Sequence, residues 1–221
     1  MNDSGYCITD NVLGADECNT LLANLSQAGF LPGRAGVRHL MKNPTIVALA
    51  SDPRLIGIAK LALGNSAIPF KATLFAKSEQ TNWLVPWHQD RALPIEVPFE
   101  SEEWGSWSTK AGIHYAHAPV WALNRIIALR IHLDDSNPDN GPLCVLPGSH
   151  QEGVLSEQQV LQAVQAGNHV ECAVQRGGIL AMRPLLIHAS SKGQSGQLRR
   201  VVHIEYADAL VLAPGIRLAI A

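Results

Sequence analysis

A chain of 221 residues with 47% hydrophobic and 16% charged positions carries enough apolar material for one sizeable core or two small ones. Its net charge of −2 gives no global attraction to nucleic acid or to an anionic membrane, and no apolar run reaches a bilayer-spanning length. The opening MNDSGYCITD lacks the basic, apolar, then small-residue order of a secretion signal. Cys7, Cys18, Cys144 and Cys172 form no C-x-x-C pair, so they read as reduced core thiols of a soluble cytoplasmic protein.

Residues 1–65 read as mostly helical. Leu13, Cys18, Leu21, Leu22 and Leu25 recur at helical intervals. NPTIVALA starts with Asn43 as N-cap and Pro44 at the first helical position, where its missing N–H costs nothing. SDPRLIGIAKLALG repeats the device with Asp52 and Pro53 and stops near Gly64. These helices are expected to pack on one face of a sheet. From Ala67 the rhythm changes to short β-rich runs: AIPFKATLFAKS, RIIALRIHLDD, LCVLPGS, HVECAV, GGILAMR and RRVVHIEYA. Gly, Pro, Asn and Asp separate them, as in an all-β barrel or sandwich occupying residues 66–210. One helix interrupts the pattern, LSEQQVLQAVQAG, with Ser156 and Gln159 in capping-box spacing. Residues 91–120 show little periodicity and three prolines; such a stretch reads as an active-site lid or insertion within a single domain spanning 1–221.

WHQD places His88 and Asp90 two residues apart, so in an extended chain both project to one side. A second histidine, His188 in LLIHASS, completes two imidazoles and one carboxylate, a set that suits Fe(II) and leaves coordination positions open. Further on, Arg199, Val201, His203 and Glu205 share one face of an alternating strand, and Arg200, Val202, Ile204 and Tyr206 share the other. One of the two arginines therefore points inward, where a buried guanidinium needs an anion, and a carboxylate ligand is a natural bidentate partner.

WHQD, then HLDDSNPDNGPLCVLPGSH, then GGILAMRPLLIHASS and an arginine eleven positions after the histidine resemble the phytanoyl-CoA dioxygenase family. The resemblance covers most of the chain, most densely Lys71 to Tyr206. It implies a mainly β fold with flanking helices: a double-stranded β-helix (jelly-roll, cupin-like) core with the N-terminal helices packed on one sheet. It implies a non-haem Fe(II)- and 2-oxoglutarate-dependent dioxygenase using O₂, with iron on His88, Asp90 and His188 and the distal carboxylate of 2-oxoglutarate on Arg199. Arg130 and Thr73 are further cosubstrate candidates on neighbouring strands, although Arg130 stands where relatives often carry an aromatic residue. Substrate contacts are expected from Trp104, Trp107 and Tyr115 in the 91–120 segment and from His132. NGPL-x-VLPGSH reads as architecture built on tight turns.

Asp90 stands where related halogenases lack the carboxylate, so the resemblance implies C–H hydroxylation with release of succinate and CO₂. The chain has no basic run to hold the phosphates of CoA, which points to a small molecule not attached to CoA. A cupin-like metal enzyme that does not use 2-oxoglutarate and a non-catalytic ligand-binding barrel remain as alternatives. A monomer and a homodimer are equally compatible with the sequence.

Overall fold

Asn43 and Asp52 start helices as their sequences dictate: the Asn43 Oδ1 accepts from the backbone N–H of Thr45 at 2.9 Å, and the Asp52 Oδ1 from that of Arg54 at 2.8 Å. In the computed structural model, which describes residues 3–30 and 36–221, the first elements are β1 (Tyr6–Thr9), α1 (Ala15–Gln27), β2 (Gly36–Val37), α2 (Pro44–Ala50), α3 (Pro53–Leu63), β3 (Ile68–Lys77) and β4 (Val85–His88). The middle of the chain forms β5 (Ala92–Ile95), β6 (Gly105–Lys110), β7 (Ile113–His117), α4 (Val120–Leu123), β8 (Ile126–His132) and β9 (Leu143–Val145). The remainder is α5 (Glu157–Ala166), β10 (Val170–Cys172), β11 (Ile179–Met182), β12 (His188–Ser190), β13 (Arg199–Ala207), β14 (Val211–Ala213) and β15 (Ile216–Arg217).

The major sheet has the order β1-β11-β8-β13-β3-β2 and the minor sheet β10-β9-β12-β4, with every pairing antiparallel. Together they form the double-stranded β-helix (jelly roll). The N-terminal helices cover the outer face of the major sheet. There Cys18, Leu25, Ile46, Leu49 and Leu55 meet Leu74, Leu129, Ile131, Val202, Ile204 and Tyr206 in one buried cluster. Fully burying an aliphatic side chain of this kind contributes about 1.5–3 kcal/mol. The Tyr206 hydroxyl is satisfied within this layer, donating to the Ala50 carbonyl at 3.0 Å. The opposite face of β13 presents Arg199, His203 and Glu205 to an interior cavity.

Two features depart from the sequence reading. β1 and β2 form the two edges of the major sheet, so residues 1–65 are not helices alone. They are four and two residues long, too short for a periodic signal. Residues 91–120, expected to lack regular structure, contain the three-stranded sheet β5-β7-β6. Its hairpin turns at Ala111-Gly112, both at positive φ (48° and 82°), between the paired Lys110 and Ile113. Two-residue hairpin loops demand that geometry, but Ala-Gly does not advertise it as Asn-Gly does.

Candidate metal centre and anion clamp

His88 and His188 are direct cross-strand partners in the β4–β12 pair. Their rings stand 4.2 Å apart between centroids. Asp90, just past the end of β4, is fixed by its backbone N–H donating to the Pro184 carbonyl at 2.9 Å. Its two carboxylate oxygens lie 3.6 Å from His88 Nε2 and 3.6 Å from His188 Nε2. One ligand atom from each of the three residues falls within 4.8 Å of the others.

The tautomers follow from the backbone. His88 Nδ1 is 2.8 Å from the Pro86 carbonyl and His188 Nδ1 is 2.8 Å from the Leu186 carbonyl. A carbonyl only accepts, so each Nδ1 carries the proton and each neutral ring turns an Nε2 lone pair toward Asp90. Burial holds the His188 pKa down at about 4 despite the carboxylate nearby. For His88, burial opposes the charge but Asp90 overcomes it and raises the pKa. Burial likewise opposes ionisation of Asp90, and His188 and His88 together hold its carboxyl well below the usual range. Two lone pairs and a carboxylate aimed at one point are a donor set for a divalent cation, with N and O ligands of the kind Fe(II) takes.

Gln89, between His88 and Asp90, is buried and braces the segment that carries them. Its Nε2 donates to the Gly153 and Leu185 carbonyls at 2.8 Å each, and its Oε1 accepts from Leu155 N–H at 2.9 Å.

A second feature lies on the same strand. Ser190 Oγ donates to the Gly141 carbonyl at 2.9 Å and accepts from Lys77 Nζ at 2.8 Å and from Arg199 Nη2 at 3.2 Å. Lys77 also donates to the Ser191 carbonyl. Arg199 and Lys77 are cross-strand partners on β13 and β3, both only 2% exposed. Neither has a carboxylate partner among the described residues, and Arg199 Nε and Nη1 are buried without any partner. Burial, then Arg199 and Arg130, push the Lys77 pKa down to about 7. Burial, then Arg130, bring Arg199 to about 9. Unpaired guanidinium donors in a dry site fit a carboxylate. Arg200, by contrast, faces outward and pairs with Asp134 at 2.6 Å.

A cavity of about 730 Å³ contains the triad, Arg199, Arg130 and Thr73. Arg130 is buried opposite His203, to which its Nη1 comes within 3.3 Å, and its Nε has no partner. His203 in turn reaches Glu205 at 3.3 Å, and Glu205 accepts from Lys71 at 2.7 Å.

Of the expected substrate contacts, only Tyr115 lines this cavity. Trp104 is buried against Phe99 and Trp121, and Trp107 packs edge-on to Phe99 beside a separate surface groove. A register shift between Gly105 and Ser108, with Ser106 at φ 48°, turns this part of β6 aside. His132 lies opposite Val201, fully enclosed and outside the cavity lining.

Sequence reasoning missed Lys71 and Ser190, which line the cavity, and Lys77, which donates to Ser190 from outside its lining. Lys71, Thr73, Phe75 and Lys77 alternate within AIPFKATLFAKS, and that period of two was the available signal.

Among known proteins, the ectoine dioxygenase of Stutzerimonas stutzeri (strain A1501) is 27% identical over 166 residues, spanning 68% of this chain and 48% of that protein. The L-proline trans-4-hydroxylase of Streptomyces griseoviridis is 28% identical over 182 residues, spanning 70% of this chain and 59% of its own length. The chain thus spans about half the length of these curated relatives. The crystal structure of EctD from S. alaskensis with 2-oxoglutarate and 5-hydroxyectoine superposes with a TM-score of 0.69 at 20% identity, covering 93% of this chain and 72% of that one. No described helix is long and apolar enough to cross a membrane. The model of the family described as "Phytanoyl-CoA dioxygenase (PhyH)" matches residues 1–201, and with that breadth of agreement added to the site, this chain belongs to the phytanoyl-CoA dioxygenase family.

Proposed function

We propose that this chain is an Fe(II)- and 2-oxoglutarate-dependent dioxygenase that hydroxylates a C–H bond of a small organic substrate. The observation that carries the proposal is the convergence of His88 Nε2, His188 Nε2 and Asp90 on one point, in the same cavity as the unpaired Arg199 guanidinium. Two relatives of the chain are named as a dioxygenase and a hydroxylase, and a structural neighbour holds 2-oxoglutarate, which supports this reading.

His88, Asp90 and His188 would hold the iron, and the backbone carbonyls of Pro86 and Leu186 keep the two imidazoles in the ligating tautomer. Arg199, assisted by Lys77 and Ser190, would receive the distal carboxylate of 2-oxoglutarate. When bound, iron and 2-oxoglutarate supply the oxidising power: the oxo acid and O₂ give succinate and CO₂, and one oxygen atom passes to the substrate C–H bond. Asp90 fills the carboxylate position, which favours hydroxylation over halogenation. Arg130 and Thr73 line the same cavity as clamp and triad, and the β5–β7 segment closes another side through Tyr115 and His117 as a lid.

The test is anaerobic addition of Fe(II) and 2-oxoglutarate. A weak visible charge-transfer band is expected, lost in Asp90→Ala and in Arg199→Gln. No band in the wild type, together with no succinate from a broad substrate panel, would overturn the proposal.

A further inference from the structure

The cavity wall is unbalanced in charge. Six Lys or Arg side chains line it against three carboxylates. Asp90 faces the two imidazoles at 3.6 Å each, and Glu205 is engaged by Lys71 and His203. The third, Glu157, is exposed in the first turn of α5. Among the described residues no ion pair reaches Arg38, Arg91, Lys110, Arg130 or Arg199.

Arg130 and Arg199 belong to the major sheet, with the clamp. The other three form a separate rim from three elements: Arg38 just after β2, Arg91 just before β5, and Lys110 at the end of β6. Arg38 and Lys110 are exposed, whereas Arg91 is half-buried and its Nε is shielded from solvent with no partner.

Tyr115 lies beside one member of the rim, Lys110. Lys110 Nζ lies 4.8 Å and Lys71 Nζ 5.7 Å from its ring centroid, and its hydroxyl is 2.9 Å from His39 Nε2. The histidines register the accumulated field. His117 is pushed down by burial and then by Arg91 and Lys110; His39 by burial and then by Lys42, Arg38, Lys71 and Lys110. His39 also adopts the left-handed conformation, φ 61°, a strained state that persists where its surroundings hold it.

A single dicarboxylate cosubstrate seated on Arg199 leaves this rim without an anion. Arg91 Nε, shielded from solvent and unpartnered, is the donor of the rim that an entering anion would satisfy. No basic run in the sequence announced the feature, because the three cations come from three distant segments.

Resting on the function proposed above, we propose that the substrate is an anion, a carboxylate or phosphate ester of a small molecule, whose charged group is received by Arg38, Arg91 and Lys110. The rim thereby sets which molecules present a carbon to the triad.

The test titrates methyl phosphate and acetate by NMR into the protein under argon, with Fe(II) and saturating 2-oxoglutarate occupying the clamp. Wild type is compared with an Arg38→Gln/Lys110→Gln double variant, whose replaced side chains are exposed, and with Arg91→Gln. Binding to the wild type is expected, weakened at least about tenfold in the double variant. Preference for methyl phosphate assigns a phosphate ester, and preference for acetate a carboxylate. Failure of both anions to bind, or equal binding by wild type and double variant, overturns the inference. The charge-transfer band is recorded on the same samples: its absence in the wild type defeats the dioxygenase reading, whereas anion binding at the rim reports on this inference separately.

Discussion

Lys77 and Arg199 oppose each other across β3 and β13, and both donate to the same Ser190 hydroxyl. Two cations forced together in a dry interior weaken each other's hold on a proton, and the lysine yields first, at about 7. In the folded protein its pKa lies below the ordinary lysine value, so the cost of burying its charge is absent above the unfolded pKa. That cost grows as pH falls and is complete below about 7. An entering carboxylate reverses the balance by favouring the protonated amine. Affinity for 2-oxoglutarate is therefore expected to fall as pH rises through about 7, and Lys77→Met should both weaken binding and flatten the pH profile. Calorimetry across this range, run on both proteins, checks it; an unchanged profile in the variant would exclude Lys77 from the clamp.

Replacing Asp90 with Asn removes one ligand and leaves the backbone anchor on Pro184 intact. Iron affinity should drop by more than the about 10–100-fold typical of losing an outer hydrogen-bond partner. The metal-free protein should melt lower than wild type at neutral pH, because a carboxyl that the folded state holds well below its usual range adds stability there. Bound-iron analysis and thermal denaturation read the two effects separately.

Gln89→Ala removes a side chain that satisfies three backbone groups. A stability loss of about 1–3 kcal/mol is expected from the groups left unpaired. Because Gln89 sits between two ligands, iron binding should also weaken, by about 10–100-fold. Denaturant unfolding and metal titration on one preparation would show both; loss of stability with undiminished metal affinity would limit Gln89 to a packing role.

Tyr206→Phe is the opposite case. It deletes the hydrogen bond to Ala50 on the helix-covered face of β13, which costs about 1 kcal/mol. For a chain of this size that lowers Tm by about 2–4 °C. The charge-transfer band and succinate yield should match wild type, since the change lies on the far side of the sheet from the cavity.

The site was legible in sequence wherever chemistry and spacing coincide. WHQD put His88 and Asp90 on one side of an extended chain, and the alternation of RRVVHIEYA put Arg199 and Arg200 on opposite faces, while the choice of Arg199 as the inward one came from the family resemblance. Helix starts were equally legible, because Asn43, Asp52 and Ser156 are local devices that need no tertiary partner. Legibility failed where a residue's meaning depends on strand pairing. Lys77 matters because it lands opposite Arg199, and Arg38 and Lys110 because β2 and the β6–β7 hairpin converge on one opening. The aromatic residues of the 91–120 segment misled for the same reason: proximity in sequence to Asp90 placed Tyr115 on the cavity but sent Trp104 into its own cluster.

Strand β13 carries the scaffold on one side and the chemistry on the other. A displacement of its pairing by a single position would bury Arg199 and Glu205 among the helices and turn Ile204 toward the cavity, at a prohibitive loss of apolar contact. The greasy layer beneath the helices therefore acts as a ruler for the polar one. Any descendant of this chain that keeps this register keeps positions 199, 203 and 205 facing the cavity, whatever happens at the loops around it.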